Sequence, residues 1–120
     1  MKNMIMKPKL WLIIIAIMHT FMGVIGGYIT MGGSIDTLAI FLYMGTISVY
    51  LLYVAFMTEG QIQARFAAVL CVPIVVWFII GAIMNLDMLG VPVAEMPRGL
   101  LPITLWTLPA LTGIMNWNSE

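Results

Sequence analysis

One histidine, His19, is the only side chain in this 120-residue sequence that titrates close to neutral pH. It stands in an apolar run, residues 10–35 carrying no Lys, Arg, Asp or Glu. Three roles are open to an imidazole there. It can be a neutral ring bonded to a neighbouring helix, the role favoured by the cost of burying an unpaired polar group. It can handle protons or bind a ligand, as intramembrane ionisable groups commonly do. It can also ligate a metal or haem. A second polar stripe consists of Tyr43, Thr46, Tyr50 and Tyr53, whose spacings of three, four and three put them on one helical face. Counted inward from Glu59, Tyr50 reaches nearly the depth that His19 reaches from Lys9. A hydrogen bond from His19 to Tyr50, or to Thr46, is therefore expected. The alternative is that these hydroxyls satisfy backbone carbonyls or one another.

Other reactive types are sparse. The single cysteine, Cys71, excludes an intramolecular disulfide, a CxxC redox pair and a thiolate cluster. Met18 and Met22 flank His19 and thioethers suit Cu(I), yet adjacent helical residues diverge by about 100°. Methionine is also an ordinary filler of irregular apolar interiors, so no metal or other cofactor is assigned. No nucleophile–base pair is present, and no catalytic residue is assigned. Trp77 and Trp106 complete the candidate set: a pocket bordered by His19, Tyr50, Trp77 and Trp106 is one reading, and simple packing of bent helices is the other.

The elements that must carry these residues are membrane helices. Hydrophobic residues make up 62% of the chain and charged residues 8%, against about a quarter charged in a soluble domain. So few charges leave lipid as the solvent for most of the chain. A helix needs about 20 apolar residues to cross a core of roughly 30 Å, and the charges divide the sequence at that interval. Spans are expected at about 10–31, 38–57, 66–86 and 100–116, in one all-α domain. The lysines before the first run imitate a secretory signal, but the run is too long for one and no small-x-small site follows. A retained first span is expected.

Short connections make successive spans antiparallel neighbours, giving an up-down-up-down four-helix bundle. Lys2, Lys7, Lys9 and Arg65 fall on one side and only Arg98 on the other, which puts both termini in the cytoplasm. Trp11, Trp117 and Tyr28 fall near the interfaces. The connection 87–99 is then exterior, either a plain solvated link or a lid or partner-docking loop. Along the first span, Ala16, Thr20, Gly23 and Gly27 share a side, and Gly23–Gly27 is a GxxxG pattern that admits another backbone. Pro73 is expected to kink the third span, and Pro102 with Pro109 to bend the fourth.

Trp11, Ala16, His19, Gly23 and Gly27 in LWLIIIAIMHTFMGVIGGY, together with the proline-bearing GLLPITLWTLPAL, resemble small bacterial four-span membrane proteins of unknown function, a loosely DoxX-like group. The resemblance implies a bundle in the bacterial inner membrane and carries no catalytic set with it. The small multidrug exporters share the architecture but depend on a membrane-embedded glutamate, where this first span offers only His19. Vitamin K epoxide reductase relatives need the CxxC that Cys71 alone cannot form.

The leading expectation is a noncatalytic membrane protein, either an accessory subunit of a larger complex or a binder of a hydrophobic small molecule. The next is a homo-oligomeric transporter or channel assembled on the Gly23/Gly27 face. A membrane enzyme using His19 and Tyr50 on a lipophilic substrate comes third. The bilayer is the expected surrounding; nothing in the charge pattern suggests nucleic acid.

Overall fold

The computed structural model describes residues 5–88, 90–94 and 98–118. The protein is all-α apart from one small hairpin. Helix α1 runs Pro8–Thr30, α2 Ile35–Met57, α3 Gly60–Met84 and α4 Leu100–Met115. Strands β1 (Asp87–Met88) and β2 (Val91–Pro92) pair antiparallel between α3 and α4, with Asp87 opposite Pro92 and Met88 opposite Val91.

Local chemistry explains the boundaries. Pro8 opens α1, where its missing N–H would be unsatisfied in any case. Gly32 and Gly33 reverse the chain at φ +99° and +63°, a left-handed conformation that side chains resist. Asp36 lies in the first turn of α2, where a carboxylate complements the positive end of the helix. The link from α2 to α3 is only Thr58 and Glu59, shorter than the 58–65 expected, so Arg65 sits inside α3. Gln63 makes this tight link work. Its buried amide nitrogen donates to the carbonyls of Val54, Ala55 and Thr58 at 3.2, 3.1 and 2.9 Å. Those acceptors belong to the last turn of α2 and the link, where carbonyls have no partner within the helix. At its other end α3 closes with Asn85 in the left-handed region (φ +52°), and the Leu86 N–H bonds to the Gly81 carbonyl at 3.0 Å. Helix α3 continues unbroken through Pro73.

Three helices, α1 to α3, are long and apolar enough to cross a membrane. The fourth is not: α4 has 16 residues and spans about 24 Å at 1.5 Å per residue. Pro102 stands in its first turn and Pro109 in its interior.

Contacts at the ends show the helices alternating in direction. Lys9, near the start of α1, lies 6.0 Å from the ring of Phe56 at the end of α2. Arg65, early in α3, stacks over Trp117 just beyond α4 at 5.3 Å and donates from Nε to the Trp117 carbonyl at 3.0 Å. The Asn116 amide donates to the Met6 carbonyl at 2.7 Å, closing the same end.

The packing is uneven. The closest pair is α3 with α4; α1 packs against both α2 and α4, and α2 touches α3 only slightly. Residues of all four helices meet in the core, among them Leu12, Ile15, Leu51, Cys71 and Trp106. Backbone-to-backbone approach occurs at Gly113. A Cβ there would stand 2.7 Å from the Ala64 carbonyl oxygen and 2.8 Å from the Ala68 nitrogen, with the Ala67 methyl also close. Small residues on both helices allow close dispersion contacts along this seam.

Gly113→Ala therefore forces two backbones apart. It is expected to destabilise the bundle by about 1–3 kcal/mol, measured by reversible denaturation of the full chain in detergent micelles; an unchanged midpoint would refute the seam.

Candidate functional site

The site begins with an irregularity in α1. Pro8–Met18 and Gly26–Thr30 are α-helical, and between them His19–Ile25 forms a π-helix of seven residues. Its wider turns use i to i−5 bonds, as from the Gly26 N–H to the Phe21 carbonyl. A Cβ on Gly26 would stand only 3.0 Å from that carbonyl oxygen, so glycine lets the turn close. Such segments are rare and recur at functional sites.

His19 is the first residue of the π segment and is 8% exposed. Its Nε2 lies 2.7 Å from the Met44 carbonyl oxygen of α2. A carbonyl can only accept, so Nε2 carries the proton and donates. One residue on, Thr20 Oγ1 stands 2.7 Å from both the Ala16 carbonyl and Ser48 Oγ, giving a second polar tie between α1 and α2. From α4, Trp106, 2% exposed, meets the His19 ring edge to face, with centroids 5.3 Å apart and planes at 76°.

These rings stand in the wall of a cavity of about 580 Å³. Met18, Met22 and Gly23 of α1, Phe41 and Met44 of α2, Phe78 of α3, and Leu105 of α4 supply much of the lining. The connection after α3 forms part of the enclosure. Val91, Pro92 and Val93 line the cavity, and Val93 packs onto Gly81, where a Cβ would come within 2.7 Å of the Val93 Cβ. The Val93 N–H bonds to the Leu86 carbonyl at 3.0 Å, holding the segment down. Among the described residues, the polar side chains in the wall apart from His19 and Trp106 are Thr30 and the exposed Arg98.

The structure brings together only part of the expected set. His19 and Trp106 meet. Tyr50 does not reach them; it is 58% exposed, and Tyr43 and Tyr53 share that outward face. Thr46 is exposed too and donates to the Tyr43 carbonyl of its own helix at 2.6 Å. The inward stripe of α2 is instead Phe41, Met44, Ser48, Leu51 and Ala55, two residues out of step with the tyrosine stripe. Two residues are about 200° of helix, so the partner of His19 comes from the opposite face. Trp77 is outside the cavity wall, stacked edge-on against Phe78 at 5.1 Å, and it is Phe78 that lines the cavity.

Gly23 and Gly27 both line the cavity, but each makes room for a ring rather than a backbone. A Cβ at Gly27 would stand 2.8 Å from Cε1 of Phe41, and one at Gly23 would stand 3.3 Å from Nδ1 of His19. Met44, Ser48 and Phe78 were not singled out from the sequence, whereas the hairpin falls in the 87–99 connection considered there as a link or a lid. Ser48, a small polar residue one turn beyond Gly45, was the legible signal for the inward face of α2. Among the described residues, no group of three or more His, Cys, Asp or Glu side chains converges as a metal site requires.

No protein-family model, curated protein or solved structure matches the chain.

Replacing an outward hydroxyl and an inward one separates the two faces of α2 and its neighbour. Tyr50→Phe should leave stability within about 0.5 kcal/mol, whereas Thr20→Val should lower it by about 1 kcal/mol through the lost tie to Ser48. Denaturation in micelles reads both, and equal effects would contradict this assignment of faces.

Proposed function

We propose that this chain is a multi-pass integral membrane protein that binds a hydrophobic small molecule in the cavity between α1, α2 and α4. The cavity carries the reading. Its volume of about 580 Å³ falls in the roughly 300–1,000 Å³ range of small-molecule sites. Its wall is apolar, with two nearly buried polar rings set into it, the arrangement that orients a lipophile. The methionines in the wall, Met18, Met22, Met31 and Met44, give it a flexible, polarizable surface suited to an apolar guest.

Three long apolar helices and many exposed large apolar side chains support a bilayer setting. The bundle is 45 Å along its longest axis, close to the 40–45 Å of a bilayer with its headgroup regions. In this reading α4 is the fourth span. Turns at residues 98–99 and 116–118 lengthen it at both ends, and Trp117 is the ring expected at the interface. Lys9, Arg65 and Trp117 gather at one end, and that end faces the cytoplasm with both termini, in keeping with positive-inside orientation.

The full chain extracted in mild detergent should carry a lipophile detectable by native mass spectrometry. Leu105→Trp, which fills the cavity, should lose it. Identical spectra for the two proteins, or an empty wild-type protein in every preparation, would overturn the binding reading.

Orientation has its own measurement. A fluorescent protein fused to the C-terminus should glow and an alkaline phosphatase fused there should stay inactive. The reverse pattern would refute the assigned orientation.

A further inference from the structure

Two ring nitrogens, on residues that line the cavity, have no hydrogen-bond partner among the described residues, and they are of opposite kinds. His19 Nε2 donates to the Met44 carbonyl, so in the neutral ring Nδ1 is left as an acceptor. Among the described residues the cavity wall holds no carboxylate to balance an imidazolium, and neutrality is what apolar surroundings accommodate. On Trp106, Nε1–H can only donate. Neither Nδ1 nor this N–H makes a hydrogen bond to the described residues, although their side chains are 8% and 2% exposed. Yet among the described residues no fully buried side-chain nitrogen or oxygen is without a partner. The small exposure that remains to each ring therefore includes its free nitrogen. Both residues line the cavity.

We infer that the ligand bound in this cavity is a lipophile bearing a hydroxyl, an alcohol or a phenol, held between Nδ1 of His19 and Nε1–H of Trp106. The inference rests on the binding reading above and names the chemical class that the site selects. A hydroxyl both donates and accepts, so it answers the two atoms at once. A ketone or an ether only accepts: it can satisfy Trp106 but leaves the lone pair of Nδ1 facing another lone pair. A carboxylate accepts only and brings a charge into an apolar wall. Among the described lining residues, the exposed Arg98 is the one cation that could draw a carboxylate. The π segment matters to this selection because it starts at His19, and Gly23 leaves the space beside Nδ1 open.

The test uses the full chain in micelles with three matched probes: a 4-alkylphenol, the corresponding alkyl anisole and the corresponding alkylbenzoate. His19 is the only histidine, so ¹⁵N-histidine spectra report this ring without assignment work. The spectrum without probe should show the Nε2–H tautomer. The phenol should shift the Nδ1 resonance and bind about tenfold more tightly than the anisole. Gly23→Ala, which places a methyl 3.3 Å from Nδ1, and Trp106→Phe, which keeps a stacked ring without its N–H, should each reduce the preference for phenol. His19→Phe should abolish it.

Equal affinity for phenol and anisole would overturn the hydroxyl assignment and leave the binding reading standing. So would tighter binding of the benzoate, an Nδ1–H tautomer or a doubly protonated ring. If none of the three probes binds, the binding reading fails as well.

Discussion

A helical carbonyl already bonded along its own helix still has a second lone pair, and the bond from His19 to Met44 uses it. Much of the arrangement follows from this one link. It ties α1 to α2 near the middle of the first helix and fixes which nitrogen of the ring is protonated. The ring is thereby held at the angle at which it and Trp106 of α4 meet edge to face. Three helices thus converge on one imidazole. The neighbouring tie from Thr20 to Ser48 keeps the π segment from rotating against α2. His19 and Ser48 are both buried, so little water reaches these links to compete for their hydrogen bonds.

Small residues act differently in the two halves of the molecule. Between α3 and α4 they bring backbone against backbone, with Gly113 set among Ala64, Ala67 and Ala68. Around α1 they make space for rings and leave a volume unfilled. One half is close-packed and the other is open, and the contrast follows from what faces each glycine: alanines in the first case, Phe41 and His19 in the second. A cavity lined by apolar side chains persists because neighbours on rigid helices relax only partly into it.

The long apolar helices were legible because charges are so rare that their positions mark the ends. The boundaries were less so. Gly60 starts α3 earlier than the 66 expected, since Gln63 and Arg65, polar enough to suggest a loop, are respectively a cap for α2 and a lateral partner of Trp117. The fourth helix is too short to qualify by length alone, because Pro102 and the turn before Leu100 limit it. In the site, His19 and Trp106 were legible as rare polar rings in apolar helices. The face of α2 was not: its residues are apolar nearly all round, and the tyrosine stripe has the same helical period as the buried one. Nor does spacing reveal a π turn, which moves every following side chain relative to an α-helical count.

Gln63 carries one more implication, for the order in which the chain can become complete. The last carbonyls of α2 find their donor on a residue translated after them, in the next helix. Until that amide emerges from the ribosome, the end of α2 cannot be desolvated without leaving polar groups orphaned. Burial of the end of the second helix is thereby coupled to arrival of the third, so the two complete each other even though their flanks barely touch in the finished protein.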